Sequence, residues 1–146
     1  MALLKTLLAV ALAAVVLSSP LQAEAGEPPH HFFYNITTDD SLAAGRALTH
    51  ASVAVNRGHR VTVFLNVRAV HLAERDIAQG SYSVTAKTPR DVLTELIASG
   101  QTVLVCGICM VAGGVGKDDL IEGATITGPE TTFTALTQPD TIVLSY

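Results

Sequence analysis

Three features are scarce in this sequence, and each scarcity excludes a class of protein. Only two of the 146 residues are cysteine, so a scaffold held together by several disulfides is excluded. The nine lysines and arginines form no basic run and are outnumbered by 13 acidic residues, which argues against a nucleic acid partner. After the first 25 residues no apolar run approaches the roughly 20 residues that span a bilayer, so we expect no membrane span.

The N-terminal segment has the pattern of a secretory signal peptide. Lys5 supplies the positive start, residues 7–17 are apolar and uncharged, and residues 23–25, Ala-Glu-Ala, form a small-x-small cleavage site. We therefore expect residues 1–25 to be a cleaved signal peptide and residues 26–146 to be one domain. The mature protein should then be periplasmic or secreted.

Strand-like and helix-like segments alternate along residues 26–146. Short runs rich in β-branched and aromatic residues predict strands, and apolar residues at helical spacing predict helices. The predicted strands are residues 31–37, 59–66, 102–105, 124–127 and 141–145, and the predicted helices are residues 41–57, 67–76, 89–99, 117–122 and 129–136. Such alternation is typical of a parallel sheet with right-handed crossovers. We therefore predict an α/β fold, a three-layer α/β/α sandwich with a mainly parallel sheet of about five strands.

Both cysteines lie in the stretch around which the chain is organised, residues 102–116. Its first four residues, 102–105, predict a strand buried on both faces, so Cys106 falls at the carboxyl end, where open α/β sheets carry their sites. Cys109 follows at C-x-x-C spacing in the first turn of the next element, where backbone N–H groups favour a thiolate. The spacing allows a disulfide, or lets one thiol resolve a sulfur species carried by the other.

Polar residues from other elements are expected at the same edge, because the carboxyl ends of parallel strands lie together. Those that follow the first two strands are Asn35, Thr37, Asn66 and Arg68. Helix capping and solvation explain residues 35–40 more simply than binding does. A cation beside the sulfur would favour a thiolate. The candidates for that cation are Arg68, His71 and Lys117.

Two other kinds of site find no support in the sequence. Residues 113–117, Gly-Gly-Val-Gly-Lys, lack the first glycine and the Ser or Thr of a phosphate loop, so a tight turn explains these glycines better. The five histidines do not converge in sequence, and two cysteines supply only half the ligands of a structural zinc site. We therefore expect neither a metal nor a cofactor.

Residues 103–115, Val-Leu-Val-Cys-Gly-Ile-Cys-Met-Val-Ala-Gly-Gly-Val, resemble the DsrE/DsrF-like family, as do residues 35–39 and 139–146. The resemblance implies a small α/β protein with a parallel sheet, often a homo-oligomer, and a link to sulfur relay with a donor or acceptor protein as partner. By motif position it matches Cys106, eight residues before Gly114, to the cysteine that carries a persulfide. Cys109 matches the second cysteine of the C-G-x-C-M subgroup.

The function predicted from these observations is an exported sulfur-binding or sulfur-transfer protein. Cys106 would carry sulfane sulfur as a persulfide, and Cys109 would resolve or protect it, as in a sulfurtransferase-like carrier. Two alternatives stay open. One is a non-catalytic binding or assembly module whose C-x-x-C is a structural disulfide, and the other is a general thiol–disulfide oxidoreductase.

The first testable prediction concerns the signal peptide. Because residues 23–25 satisfy a signal-peptidase site, exported protein should begin at Gly26, or at Glu24 if Ala23 is the last residue removed. N-terminal sequencing of the exported protein measures this directly. A soluble cytosolic pool that retains Met1 would contradict it.

Overall fold

The fold is described by a computed structural model for residues 28–82 and 86–146. The predicted signal peptide lies outside the described residues and stays a prediction. Five strands are present within them: β1 His31–Ile36, β2 Arg60–Leu65, β3 Thr102–Cys106, β4 Thr125–Thr127 and β5 Thr141–Ser145. In this described part of the chain, no helix has both the length and the apolar character needed to cross a membrane.

The helices at residues 41–56, 89–98 and 129–136 begin and end close to the residues that the sequence indicates, whereas the sequence predicts no helix at residues 107–113. They are α1 Ser41–Asn56, α2 Pro89–Ala98, α3 Gly107–Gly113 and α4 Pro129–Leu136, with 3₁₀ helices at Val67–Ala73 and Lys117–Asp119. The side chain of Asp40 caps α1 by accepting from the N–H of Ala43 at 2.8 Å. Thr88 and Asp91 form a capping box at the start of α2. At residues 67–76 and 117–122, where the sequence predicts helices, the structure has shorter helices of the tighter 3₁₀ type.

All neighbouring strands are parallel, in the order β4-β3-β2-β1-β5. The connections from β1 to β2, from β2 to β3 and from β3 to β4 each lead to the next strand on the same side. The connection from β4 to β5, through α4, runs back to the opposite edge of the sheet. With right-handed crossovers, this reversal puts α4 on the face opposite α1, α2 and α3. Phe133 of α4 accordingly shares a cavity with Phe64 of β2 and Cys106 of β3. The predicted three-layer α/β/α sandwich with five parallel strands is confirmed.

The cysteine strand lies inside the core. Val103, Leu104 and Val105 are each at most 3% exposed, because β3 has a strand on either side and helices over both faces. On one side of the sheet, small residues of α1 let the helix approach closely. These fully buried residues are Ala44, Ala47 and Ala51. Cys106 therefore lies directly after three buried residues of an interior strand.

His31 is a buried polar residue at the start of β1. Its ring nitrogens lie 2.9 Å from the hydroxyl of Thr62 and 2.8 Å from the hydroxyl of Thr141, so both are hydrogen-bonded. Burial disfavours the charged imidazolium and lowers the pKa of His31, and the nearby positive charge of Arg60 lowers it further. The folded protein thus holds His31 neutral between two strands.

Truncation of Leu104 tests the buried position of β3. Leu104→Ala should lower the free energy of unfolding by about 2–5 kcal/mol, because a buried leucine loses both transfer free energy and packing. The matched control is Leu42→Ala on α1, where the side chain is 63% exposed and little should change. Urea unfolding of both variants gives the comparison. Equal stability of Leu104→Ala and wild type would mean that β3 is not a core strand.

Acid should destabilise the fold through His31. Its pKa is lowered in the folded state, so the unfolded chain binds the proton first as pH falls below about 6.5. The contribution of His31 is therefore fully present above that pH and is lost as pH falls towards the folded pKa. His31→Gln should flatten this part of the stability–pH curve in urea unfolding. The control variant is His50→Gln, which replaces an exposed histidine on α1, and an equal slope in all three proteins would refute the assignment.

Candidate functional site

Cys106 and Cys109 lie at the junction of β3 and α3 and form a disulfide. Cys106 ends β3 and is also the N-cap residue of α3, and its Sγ accepts a hydrogen bond from the N–H of Cys109 at 3.3 Å. Cys106 is only 8% exposed, whereas Cys109 is half-buried on the first turn of α3. The structure thus places both sequence-predicted site residues together at the carboxyl edge of the sheet.

Gly107 makes this junction possible. A Cβ at this position would lie 3.2 Å from Cγ2 of Ile126 and 3.3 Å from the carbonyl oxygen of Thr127, both on or beside the neighbouring strand β4. A glycine lets the chain turn from β3 into α3 against that strand without displacing it. At the other end of α3, Gly114 adopts a left-handed φ of +73° and stops the helix.

The two sulfur atoms have different polar neighbours. Sγ of Cys106 faces a backbone donor, and a donor stabilises a thiolate. Sγ of Cys109 lies 3.1 Å from Oδ1 of Asn66, an acceptor to which a thiol donates once the disulfide is reduced. The surroundings therefore favour a thiolate on Cys106 and a protonated thiol on Cys109.

Asn66 is held firmly at the carboxyl end of β2. Its backbone N–H donates to the carbonyl of Ile36 at 2.8 Å, and its Oδ1 also accepts from the N–H of Val67 at 2.8 Å. Val67 has a φ of +51°, a left-handed conformation that costs a β-branched residue free energy. The strained residue Val67 thus directly follows Asn66, whose side-chain oxygen lies against Sγ of Cys109.

An apolar cavity of about 300 Å³ opens beside Cys106. It lies between the sheet and α4, and its walls include Phe64, Phe133 and Leu136. Phe133 is 65% exposed, so a large apolar side chain borders the entrance. A molecule or protein segment that reaches the sulfur of Cys106 from this side meets an apolar surface.

A second cavity, of about 420 Å³, opens beside Cys109 on the other side of α3. Arg68, His71 and Gly113 line it, and Ile108 borders both cavities. The C-x-x-C turn therefore separates an apolar cavity at Cys106 from a cavity with basic side chains at Cys109.

The basic groups beside Cys109 have acidic partners. The guanidinium of Arg68 donates to both carboxylate oxygens of Asp39, at 3.0 and 2.6 Å, and these hydrogen bonds lower the pKa of Asp39. Nδ1 of His71 lies 2.6 Å from Oε1 of Glu74. Of the three cations that the sequence suggests, Arg68 and His71 thus line the cavity of Cys109, whereas Lys117 lines a different one with Arg75 and Asp118.

Other rim residues take structural roles. Asn35 donates to the hydroxyl of Ser145 at 3.3 Å, and Thr37 donates to the carbonyl of Tyr146 at 2.8 Å, so both are bound to the C-terminal strand and the residue after it. The predicted capping role is therefore filled by Asp40, whereas Asn35 and Thr37 hold the C-terminal segment against the sheet. Sequence reasoning missed Glu74 and Phe133; the spacing of His71 and Glu74, three residues apart in a helical segment, was the signal available for the first.

Comparisons with known proteins place this geometry in a family. The chain is 29% identical over 99 residues to the uncharacterized protein MJ0989 of Methanocaldococcus jannaschii, a match that covers 66% of this chain and 82% of that protein. Its fold is similar to the crystal structure of the ychN protein from E. coli, with a TM-score of 0.66 and 19% identity over 81% of this chain and 99% of that one. It is also similar to MTH1491 of Methanobacterium thermoautotrophicum, a protein of unknown function, with a TM-score of 0.56 and 18% identity over 80% of this chain and 99% of that one.

The profile of the DsrE/DsrF-like family matches residues 31–144, which include four strands, all of β5 but its last residue, both cysteines and both cavities. The likeness predicted from residues 103–115 is thereby confirmed. The chain belongs to the DsrE/DsrF-like family, and this membership suggests a role of the sulfur-relay type.

Proposed function

We propose that this protein is an exported sulfur carrier that holds sulfane sulfur as a persulfide on Cys106. The observation that supports it most is the N–H of Cys109, which donates to Sγ of Cys106 at 3.3 Å at the end of a buried strand. A thiolate is the nucleophilic form of cysteine, and this donor favours it at Cys106. Export is supported by the signal-peptide pattern of residues 1–25.

Loading requires the reduced protein. The Cys106 thiolate attacks the outer sulfur of a donor persulfide, the bond between the two donor sulfurs breaks, and the donor leaves as a thiolate. The product is Cys106 with one additional sulfur atom, and no net oxidation takes place. The same hydrogen bond from Cys109 N–H then lies beside the inner sulfur of the persulfide.

Discharge can follow two routes with balanced chemistry. An acceptor thiolate attacks the outer sulfur and takes it, which regenerates the Cys106 thiolate. Alternatively, the Cys109 thiolate attacks the inner sulfur, the persulfide bond breaks, hydrosulfide leaves, and the Cys106–Cys109 disulfide seen in the structure forms. A dithiol reductant must then return the protein to its active form.

The surface around Cys106 suits a protein partner. Ile108 and Val111 of α3 are 81% and 82% exposed, and Phe133 of α4 is 65% exposed. Exposed apolar side chains grouped beside a reactive residue are typical of interaction surfaces. In our proposal the sulfur donor or acceptor protein docks there, and homo-oligomer formation stays a prediction implied by the family.

A structural disulfide is the second candidate function of the cysteine pair. The observed disulfide and the 8% exposure of Cys106 favour it. In that case the pair would be inert towards sulfane sulfur and the protein would act as a non-catalytic binding module. A short loop of this kind contributes little to stability through the unfolded chain, which weighs against a purely structural role.

Intact-mass analysis separates these functions. Reduced wild-type protein incubated with a polysulfide should gain one sulfur atom, Cys106→Ser should gain none, and Cys109→Ser should accumulate the modified form because it cannot form the internal disulfide. Peptide mapping should place the added sulfur on Cys106. A reduced wild-type protein that gains no sulfur would favour the structural disulfide, and a modification on Cys109 would reverse the roles of the two residues.

A further inference from the structure

We propose that His71, held by Glu74, accepts the proton of the Cys109 thiol when Cys109 attacks the persulfide on Cys106. The proposal rests on the proposed function and assigns a role to a third and a fourth residue of the same site. Neither the sequence pattern nor the family match gives these residues that role. It depends on the orientation of one imidazole ring relative to α3.

Glu74 fixes the protonation of the ring. A carboxylate can only accept, so the 2.6 Å contact between Oε1 of Glu74 and Nδ1 of His71 requires the proton to lie on Nδ1. In the neutral imidazole Nε2 then has a free lone pair and can act as a base. Both side chains are only partly exposed, at 25% for His71 and 19% for Glu74, which strengthens the hydrogen bond between them.

The ring edge with Nε2 points at the helix that carries Cys109. Nε2 lies 3.3 Å from the position that a Cβ on Gly113 would occupy. Gly113 is four residues after Cys109, so the two positions lie on the same face of α3 about 6 Å apart. Nε2 therefore faces α3 one helical turn from Cys109, in the cavity that both residues line, and in our proposal a water molecule relays the proton between them.

Because Gly113 has no side chain, the imidazole ring of His71 can pack directly against α3. A Cβ there would also lie 3.4 Å from Cε1 of His71 and 3.6 Å from Val70, so a larger residue would push the ring away from α3. The carbonyl oxygens of Glu74 and Ile77, at 2.6 and 2.8 Å, accept from the guanidinium of Arg90 and fix the chain beyond the 3₁₀ helix. The base is thus positioned by packing on one side and by hydrogen bonds on the other.

Few charged groups surround the ring. Glu74 contacts it directly, Arg68 lines the same cavity, and Asp39 neutralises Arg68 through their paired hydrogen bonds. Asp39 also interacts electrostatically with His71. From α3 the only titratable side chain is Cys109 itself. The cavity thus presents one base to one thiol.

The proposed step is balanced in atoms and charge. The Cys109 thiol breaks its hydrogen bond to Oδ1 of Asn66 and gives its proton, through the bridging water, to Nε2 of His71, and the resulting thiolate attacks the inner sulfur on Cys106. The disulfide forms, the persulfide bond breaks, and the outer sulfur of the deprotonated persulfide leaves as sulfide, which takes the proton from the imidazolium and becomes hydrosulfide. When a dithiol reductant reopens the disulfide, it becomes oxidised to its own disulfide and supplies the proton that restores the Cys109 thiol.

The test uses protein loaded with sulfur on Cys106 and measures hydrosulfide release per loaded molecule as a function of pH. His71→Gln should slow the release about 100-fold near neutral pH and remove the rise in rate with pH that the imidazole causes. Glu74→Gln should slow it about tenfold, because an amide orients the ring less well. The matched control His50→Gln, on the exposed face of α1, should release hydrosulfide at the wild-type rate. Wild-type rate and pH profile in His71→Gln would overturn the proposal.

A second measurement tests the pairing of His71 with Cys109 in protein that carries no persulfide. In a Cys106→Ser background, iodoacetamide should alkylate Cys109 about tenfold more slowly after His71→Gln, since the thiolate loses its partner, but at an unchanged rate after His50→Gln. If the protein takes up no sulfur, the proposed function fails while this comparison still tests the pairing of His71 with Cys109. Equal alkylation rates in all three proteins would refute that pairing.

Discussion

The site depends on how the buried strand β3 ends. A core strand that turns into a helix must satisfy the first free N–H groups of that helix, and here the sulfur of Cys106 accepts one of them at 3.3 Å. Gly107 allows the turn because a side chain there would press against β4. The packing that stabilises the sheet and the chemistry available to Cys106 therefore come from the same few residues.

The junction also gives the two cysteines different environments. Cys106 belongs to the sheet and opens towards α4 through an apolar cavity, whereas Cys109 belongs to α3 and opens towards Asn66 and His71. A partner that approaches over the exposed apolar side chains of α3 and α4 would meet Cys106, while the groups that handle protons lie beside Cys109. In the proposed function, sulfur transfer therefore takes place at Cys106 and proton transfer at Cys109, one helical turn away.

The sequence predicted where the strands lie along the chain and that they are mainly parallel, because buried strands and capped helices have strong local patterns; it predicted neither the order of the strands in the sheet nor helix α3. Pro129–Leu136 and Thr141–Ser145 were located to the residue, and Cys106 was placed at the correct edge. Side-chain partners across elements could not be derived, since distances such as that between His71 and Gly113 depend on how the elements pack. For the same reason Lys117, only a few residues beyond α3, was a reasonable candidate near the sulfur and proved to line another cavity.

The central claim is that the two thiols of the reduced protein differ because one sulfur accepts a hydrogen bond and the other donates one. The most direct measurement is a pH titration of the Cβ chemical shifts of Cys106 and Cys109 by ¹³C NMR under reducing conditions. The account predicts that Cys106 loses its proton at a lower pH than Cys109, and that replacing Asn66 by alanine changes mainly the Cys109 curve. Coincident curves, or a Cys109 that ionises first, would contradict it.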